Sequence, residues 1–144
     1  MKNPTTLSDE LAIKELAARF EKTFDDGDLD AHMATWTQAI SFESPFGSYD
    51  TREGYRGWVE GFRAQTQEQY GGTRHIVANH EIAVDGDSAT MTAYLIIFGH
   101  NANIGGDGDP QPVVAGTAAF TDDRLKRVDG EWRFAHRTLE VDQA

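Results

Sequence analysis

The chain contains no cysteine, which excludes disulfides and every thiolate-ligated metal or redox centre. Basic residues are scarce: 13 Lys and Arg face 24 Asp and Glu, giving a formal charge of −11 and an isoelectric point near 4.7. Nucleic acids and anionic membranes are bound mainly through Lys and Arg, so neither is an expected partner. No apolar run is long enough for a membrane span or a signal h-region. The N-terminus passes from Pro4-Thr5-Thr6 straight into a charged helical pattern, and a soluble, cytoplasmic protein is expected. There is no glycine-rich phosphate cradle of the Rossmann or P-loop kind, so no nucleotide cofactor is expected. No His-x-His or His-x-x-x-His pair occurs, and no metal is expected either. With neither an internal repeat nor a composition break, residues 1–144 read as one domain.

What is present is a globular composition, 39% hydrophobic and 26% charged, in a chain long enough to fold around its own core. Ser8 is a good N-cap for a first helix with Asp9 and Glu10 in its first turn. Ile13, Leu16, Ala17, Phe20 and Phe24 follow at helical spacing, and the helix ends near Asp26-Gly27. Asp28 caps a short second helix carrying Leu29, Met33 and Trp36, with His32 on its exposed side. Ile40-Ser41-Phe42-Glu43 alternates like a strand and turns at Ser44-Pro45-Phe46-Gly47. Thr51 caps a third helix whose apolar positions are Tyr55, Trp58, Val59 and Phe62. Its glycines, Gly54, Gly57 and Gly61, are costly in a helix and suggest close packing on a neighbour.

Thr73 to Val84 then reads as a strand, Asp85-Gly86-Asp87 as a hairpin turn and Ser88 to His100 as the returning strand. Alternation puts His75, Val77 and Asn79 on one face and Arg74, Ile76 and Ala78 on the other. Asn101 to Pro112 has loop composition, and its Asp107-Gly108-Asp109 lacks the further ligands of a calcium loop. Val113 to Arg127 and Glu131 to Val141 are strands joined at Asp129-Gly130. Three helices followed by a curved antiparallel sheet make an α+β fold. His80 and His136 read as sheet-face residues, and Arg137 as structural.

The order of elements, with Phe24-Asp25-Asp26-Gly27-Asp28-Leu29, the His75–Asn79 strand, Asp85-Gly86-Asp87 and Asp129-Gly130-Glu131-Trp132-Arg133-Phe134, resembles the SnoaL-like branch of the nuclear transport factor 2 (NTF2) superfamily. The resemblance implies a cone, in which a bent sheet wraps three helices around an apolar pocket open at one end. Within that branch the chain is most similar to the scytalone dehydratase group. That group has an aspartate ending helix one, a histidine on the strand before the hairpin and a second histidine at the hairpin's far end. Asp25, His75 and His100 stand at those places and are the implied catalytic residues. The two tyrosines with which the group polarises a carbonyl are replaced by Phe24 and Phe42.

A carboxylate bonded to one imidazole nitrogen fixes the tautomer, leaves the other nitrogen basic and stabilises the imidazolium. Asp25 on His75 would give such an acid–base pair. The expected activity is a cofactor-independent lyase of dehydratase type, acting on a small cyclic hydroxyketone or polyketide-like molecule. An isomerase of ketosteroid type with Glu43 as base, a cyclase, and a non-catalytic small-ligand domain stay open. Candidates for lining the pocket or holding an enolate are Phe24, Phe42, Tyr49, Tyr55, Trp58, Asn79, Tyr94 and Thr117. A sheet with two partly apolar faces needs cover, so a homo-oligomer is expected, dimer before trimer.

Overall fold

A computed structural model describes residues 2–102, 109 and 111–142. The elements in chain order are α1 (Pro4–Asp26), α2 (Leu29–Met33), β1 (Phe42–Ser44), β2 (Gly47–Tyr49), α3 (Arg52–Tyr70), β3 (Thr73–Asp85), β4 (Ser88–Ala102), β5 (Gln111–Val128) and β6 (Glu131–Val141). The sheet order is β2-β1-β6-β5-β4-β3. Residues 107 and 108 of the calcium-like Asp-Gly-Asp stretch lie outside the described residues, as does most of the loop expected there.

α1 begins earlier than the Ser8 cap suggests. Asn3 caps it, its Oδ1 accepting from the Thr6 N–H at 2.8 Å, with Pro4 in the first turn, where a missing N–H costs nothing. Asp9 therefore lies in the second turn and is buried. It accepts from Arg127 at 2.8 and 3.1 Å and from the Trp132 indole at 3.2 Å, tying α1 to the last hairpin. The helix ends where Gly27 adopts φ 73°, with the Gly27 and Asp28 N–H groups returning to the Phe24 and Thr23 carbonyls.

Asp28 and Thr51 cap α2 and α3 as their sequences suggest, accepting from Ala31 N–H and Gly54 N–H at 3.2 and 3.1 Å. Two of the α3 glycines do not mediate close packing: a Cβ on Gly57 or Gly61 would meet nothing within 4 Å, whereas one on Gly54 would come within 2.9 Å of the Thr51 cap hydroxyl and 3.6 Å of the Tyr49 ring. His32 is fully buried rather than exposed, because α2 lies across α1 with that side inward.

The sheet is mixed and is not confined to the chain after the helices. The Pro45-Phe46 turn closes a small β1–β2 hairpin between α2 and α3, and β1 runs parallel to β6, Phe42 opposite Arg137. In β3 the alternation breaks at Asn79, which takes φ 56° where the β3–β4 register shifts. Thr73, His75 and Val77 face inward before this bulge; His80, Ile82 and Val84 do so after it, and Asn79 is exposed. Bulges bend and twist a sheet, and further shifts in the β4–β5 and β5–β6 pairings wrap it around α1. The concave side is filled by α1, α2 and an aromatic core that includes Phe20, Trp36, Phe120 and Phe134.

Candidate active site

The last turn of α1 sets Asp25 against the third residue of β3. Asp25 Oδ1 lies 2.6 Å from His75 Nδ1, and its Oδ2 accepts the backbone N–H of the same residue at 2.8 Å. One carboxylate thus holds both the ring and the strand that carries it, which pins χ angles as well as tautomer. With Nδ1 engaged, Nε2 is the nitrogen left for a substrate. Arg63 of α3 donates to the Phe24 and Asp25 carbonyls at 2.6 and 3.1 Å, fixing the end of α1. A side chain on Gly27 would come within 2.6 Å of that guanidinium, so glycine meets both the positive φ and the close approach.

The His75 and Asp25 side chains are 7% and 14% exposed. Burial lowers the affinity of the imidazole for a proton, but the Asp25 hydrogen bond and the charges of Glu21 and Asp25 outweigh it, so the His75 pKa lies above its ordinary 6.5. The ring packs edge-on to Phe24 at 5.0 Å and lines a cavity of about 40 Å³ whose other walls include Phe20, Glu21, Phe42, Tyr55, Trp58 and Phe120. That cavity shares Phe46, Trp58, Phe62 and Ile97 with a vestibule of about 420 Å³ bordered by Gln65, Gln69, Tyr70 and Thr73. A larger groove of about 550 Å³ runs outside, between α1 and β3, past Lys22, Asp26 and Arg74. It is open and edged by charged side chains, and Glu21 and His75 form the partition between it and the apolar interior.

Of the residues named from the sequence, Asp25, His75, Phe24, Phe42, Tyr55 and Trp58 converge at this partition. The others do not. Tyr49 stacks on Trp58 with ring centroids 5.8 Å apart and does not line the cavity. Asn79 is turned out by the bulge. Tyr94 is 61% exposed, because its neighbour Leu95 takes the inward position. Thr117 alternates with buried Ala118 and donates to Asp142 at 2.8 Å on the outer surface. His100 is half-buried, and its Nε2 is enclosed without a hydrogen-bond partner among the described residues. Its ring lies against Gly72, whose added Cβ would come within 3.2 Å of Nδ1, and it does not line the cavity. Glu43 is exposed on β1, away from the interior.

The Tyr55 hydroxyl is also spoken for. His32 Nδ1 lies 2.9 Å from the Phe20 carbonyl, which can only accept, so Nδ1 carries the proton and Nε2 accepts from Tyr55 Oη at 2.7 Å. Burial lowers the His32 pKa to about 4 and keeps this ring neutral, while burial raises that of Tyr55.

Two buried ionisable side chains are not among the residues the sequence names for the site. Arg137 is completely buried, bound to both oxygens of Asp123 at 2.9 Å, and its guanidinium sits 3.5 Å from the Phe120 ring centroid. Glu21 is 4% exposed, with Oε1 4.0 Å from Arg137 Nη1, and neither atom has a hydrogen-bond partner among the described residues. A signal for Glu21 existed: it stands at i+4 from Ala17, inside the apolar stripe of α1 and one turn before Asp25. Among the described residues no group of three or more His, Asp or Glu is placed to hold a metal ion. None of their helices is long and apolar enough to cross a membrane.

Comparison with solved structures places this architecture among NTF2-like, cystatin-like folds. A protein of unknown function from Nostoc punctiforme is 28% identical, with 94% of this chain and 92% of that one covered at a TM-score of 0.75. An NTF2-like protein from Novosphingobium aromaticivorans is 21% identical over 98% and 91% of the two chains, TM-score 0.75. A candidate scytalone dehydratase from the same organism is 19% identical over 96% and 87%, TM-score 0.77. No curated protein matches. A SnoaL-like domain model matches residues 5–138, from the first turn of α1 almost to the end of β6, and the chain therefore belongs to the SnoaL-like family.

Proposed function

We propose that the protein is a cofactor-independent lyase that removes water from a small cyclic β-hydroxyketone, with His75 as acid–base and Asp25 as its positioning partner. The observation that carries this reading is the two-point grip of Asp25 on His75, which leaves Nε2 uncommitted on a ring that lines an apolar cavity. In the neutral form Nε2 takes the proton α to the carbonyl. The imidazolium, stabilised by Asp25, then returns that proton to the departing hydroxyl, so that hydroxyketone becomes enone and water with no co-reactant. An inner space of about 40 Å³ takes a polar head group of a few atoms, and the vestibule of about 420 Å³ takes the body of a ring. The fold shared with a candidate scytalone dehydratase supports the same class. The replacement of the scytalone dehydratase group's two carbonyl-binding tyrosines by Phe24 and Phe42 points away from scytalone itself.

The test is a screen of cyclic β-hydroxyketones, beginning with 3-hydroxycyclohexanone, followed through the conjugated absorbance of the enone. His75→Ala lowers turnover by about 10²- to 10⁴-fold, the usual contribution of a positioned base, and Asp25→Asn lowers it as well. Turnover unchanged in both variants would refute the reading.

A further inference from the structure

Proton removal by His75 places negative charge on the substrate's carbonyl oxygen, and the His75–Asp25 pair offers no donor there. The hydroxyls named from the sequence are elsewhere: Tyr55 donates to His32, Tyr49 stacks beside Trp58, and Tyr94 and Thr117 are on the outer surface. One polar side chain in the cavity wall is uncommitted. Glu21 is 4% exposed and lines the cavity together with His75, and its buried Oε1 has no hydrogen-bond partner among the described residues. The nearest cation, Arg137, stands 4.0 Å off and gives its hydrogen bonds to Asp123 instead. Glu21 precedes Asp25 by one helical turn, about 6 Å along the axis. The carboxyl and the imidazole both line the inner cavity.

We propose that Glu21 is a further catalytic residue, whose carboxyl O–H donates a hydrogen bond to the oxyanion formed as His75 takes the α proton. The assignment rests on the lyase reading above. The groups facing Glu21 are Asp25 on α1, His75 on β3, Asp123 on β5 and Arg137 on β6. Burial raises its pKa to about 7 against the pull of His75 and Arg137, with Asp25 and Asp123 adding to the rise, so the neutral acid is available near neutral pH. In the reaction the α C–H bond breaks toward Nε2 and its electron pair forms the enolate, whose oxygen accepts from Glu21. The carbonyl is restored as the β C–O bond breaks and Nε2–H protonates the leaving oxygen. Glu21 keeps its proton throughout.

The probe is 4-nitrophenol, measured at about pH 7, where much of it is the phenolate, against 4-nitrotoluene, the same ring without the acidic oxygen. The wild-type chain is expected to prefer the phenol. Glu21→Leu should cut that preference about 10- to 100-fold, the loss of a hydrogen bond to a charged group, while 4-nitrotoluene binds as before. Glu21→Gln, still a donor, keeps most of it. A preference that survives Glu21→Leu, or a wild type with none, would overturn the assignment. Should Glu21→Leu fold poorly, infrared spectroscopy of the wild type decides: a neutral-carboxyl band missing from Glu21→Gln must shift when 4-nitrophenol binds, and an unmoved band overturns it. His75→Ala in the enone assay separates the two readings. Turnover lost with His75 while the phenol preference ignores Glu21 retires Glu21 alone; a Glu21-dependent preference with turnover indifferent to His75 retires the base.

Discussion

Glu21 carries a stability signature that is independent of any substrate. Its carboxyl titrates at about 7 in the fold against 4.5 for an ordinary glutamate, burial being the largest cause. The folded chain therefore holds the proton more tightly than the unfolded chain does. Below about pH 4.5 both states are protonated and the residue is without electrostatic cost. As pH rises toward 7 the unfolded chain gives up the proton first, and the fold loses stability. A difference of about 2.5 units corresponds to about 3 kcal/mol, reached in full above pH 7.

Glu21→Gln removes the titration and keeps the shape. Urea denaturation with linear extrapolation at about pH 5 and about pH 8 should find the variant within about 1 kcal/mol of wild type at the lower pH and about 3 kcal/mol more stable at the higher. His75 complicates only the acid side: its raised pKa stabilises the fold below 6.5, and that contribution is lost as pH rises through the folded value. The comparison at about pH 8 is therefore the cleaner of the two. A gap that stays constant across the range, or a Gln variant that is the less stable at high pH, would show that Glu21 is ionised in the fold and paired with Arg137.

Three further outcomes follow from the same geometry. Because His75 must be neutral to act as base and its pKa is raised, the acid limb of kcat/KM against pH should fall above 6.5 and move downward in Asp25→Asn, which removes the carboxylate most responsible; a limb at or below 6.5 would contradict the electrostatics. Asp123→Ala leaves the Arg137 guanidinium buried without its partner and should cost about 3–5 kcal/mol in urea denaturation, and a loss below about 1 kcal/mol would mean that Glu21 or solvent takes over. Ile76, Tyr94, Ile96, Phe98 and Val114 are exposed together on the outer face of β3, β4 and β5, a patch that suits pairing of two copies; sedimentation should give twice the 16.0 kDa chain mass for wild type and the single mass for Ile96→Lys, whereas a wild-type monomer would refute the pairing.

Local signals carried much of the fold because each is written in a few neighbouring residues. Asp28 and Thr51 cap their helices, Asp85-Gly86 and Asp129-Gly130 turn their hairpins, and α1 buries Ile13, Leu16, Ala17, Phe20 and Phe24. The misses share a different origin. Nothing local announces that β1 lies parallel to β6, since that pairing joins residues such as Phe42 and Arg137 across most of the chain. Nor does alternation foresee a residue that steps out of it: with φ 56° at Asn79, counting by twos from His75 assigns Asn79 to the wrong face. His100 has the expected spacing from His75 yet packs against Gly72 instead of lining the cavity, a long-range outcome that spacing does not encode. The candidate site divides along the same line. A conspicuous histidine and aspartate can be matched to a family, whereas Glu21 and Arg137 matter through burial, which only the closed cone confers. Charges on the inner stripe of a helix or the inner face of a strand thus stand out in a sequence once its apolar period has been drawn. In this chain that criterion selects Glu21, at i+4 from Ala17 and i+1 from Phe20, as the acid sharing the cavity with His75.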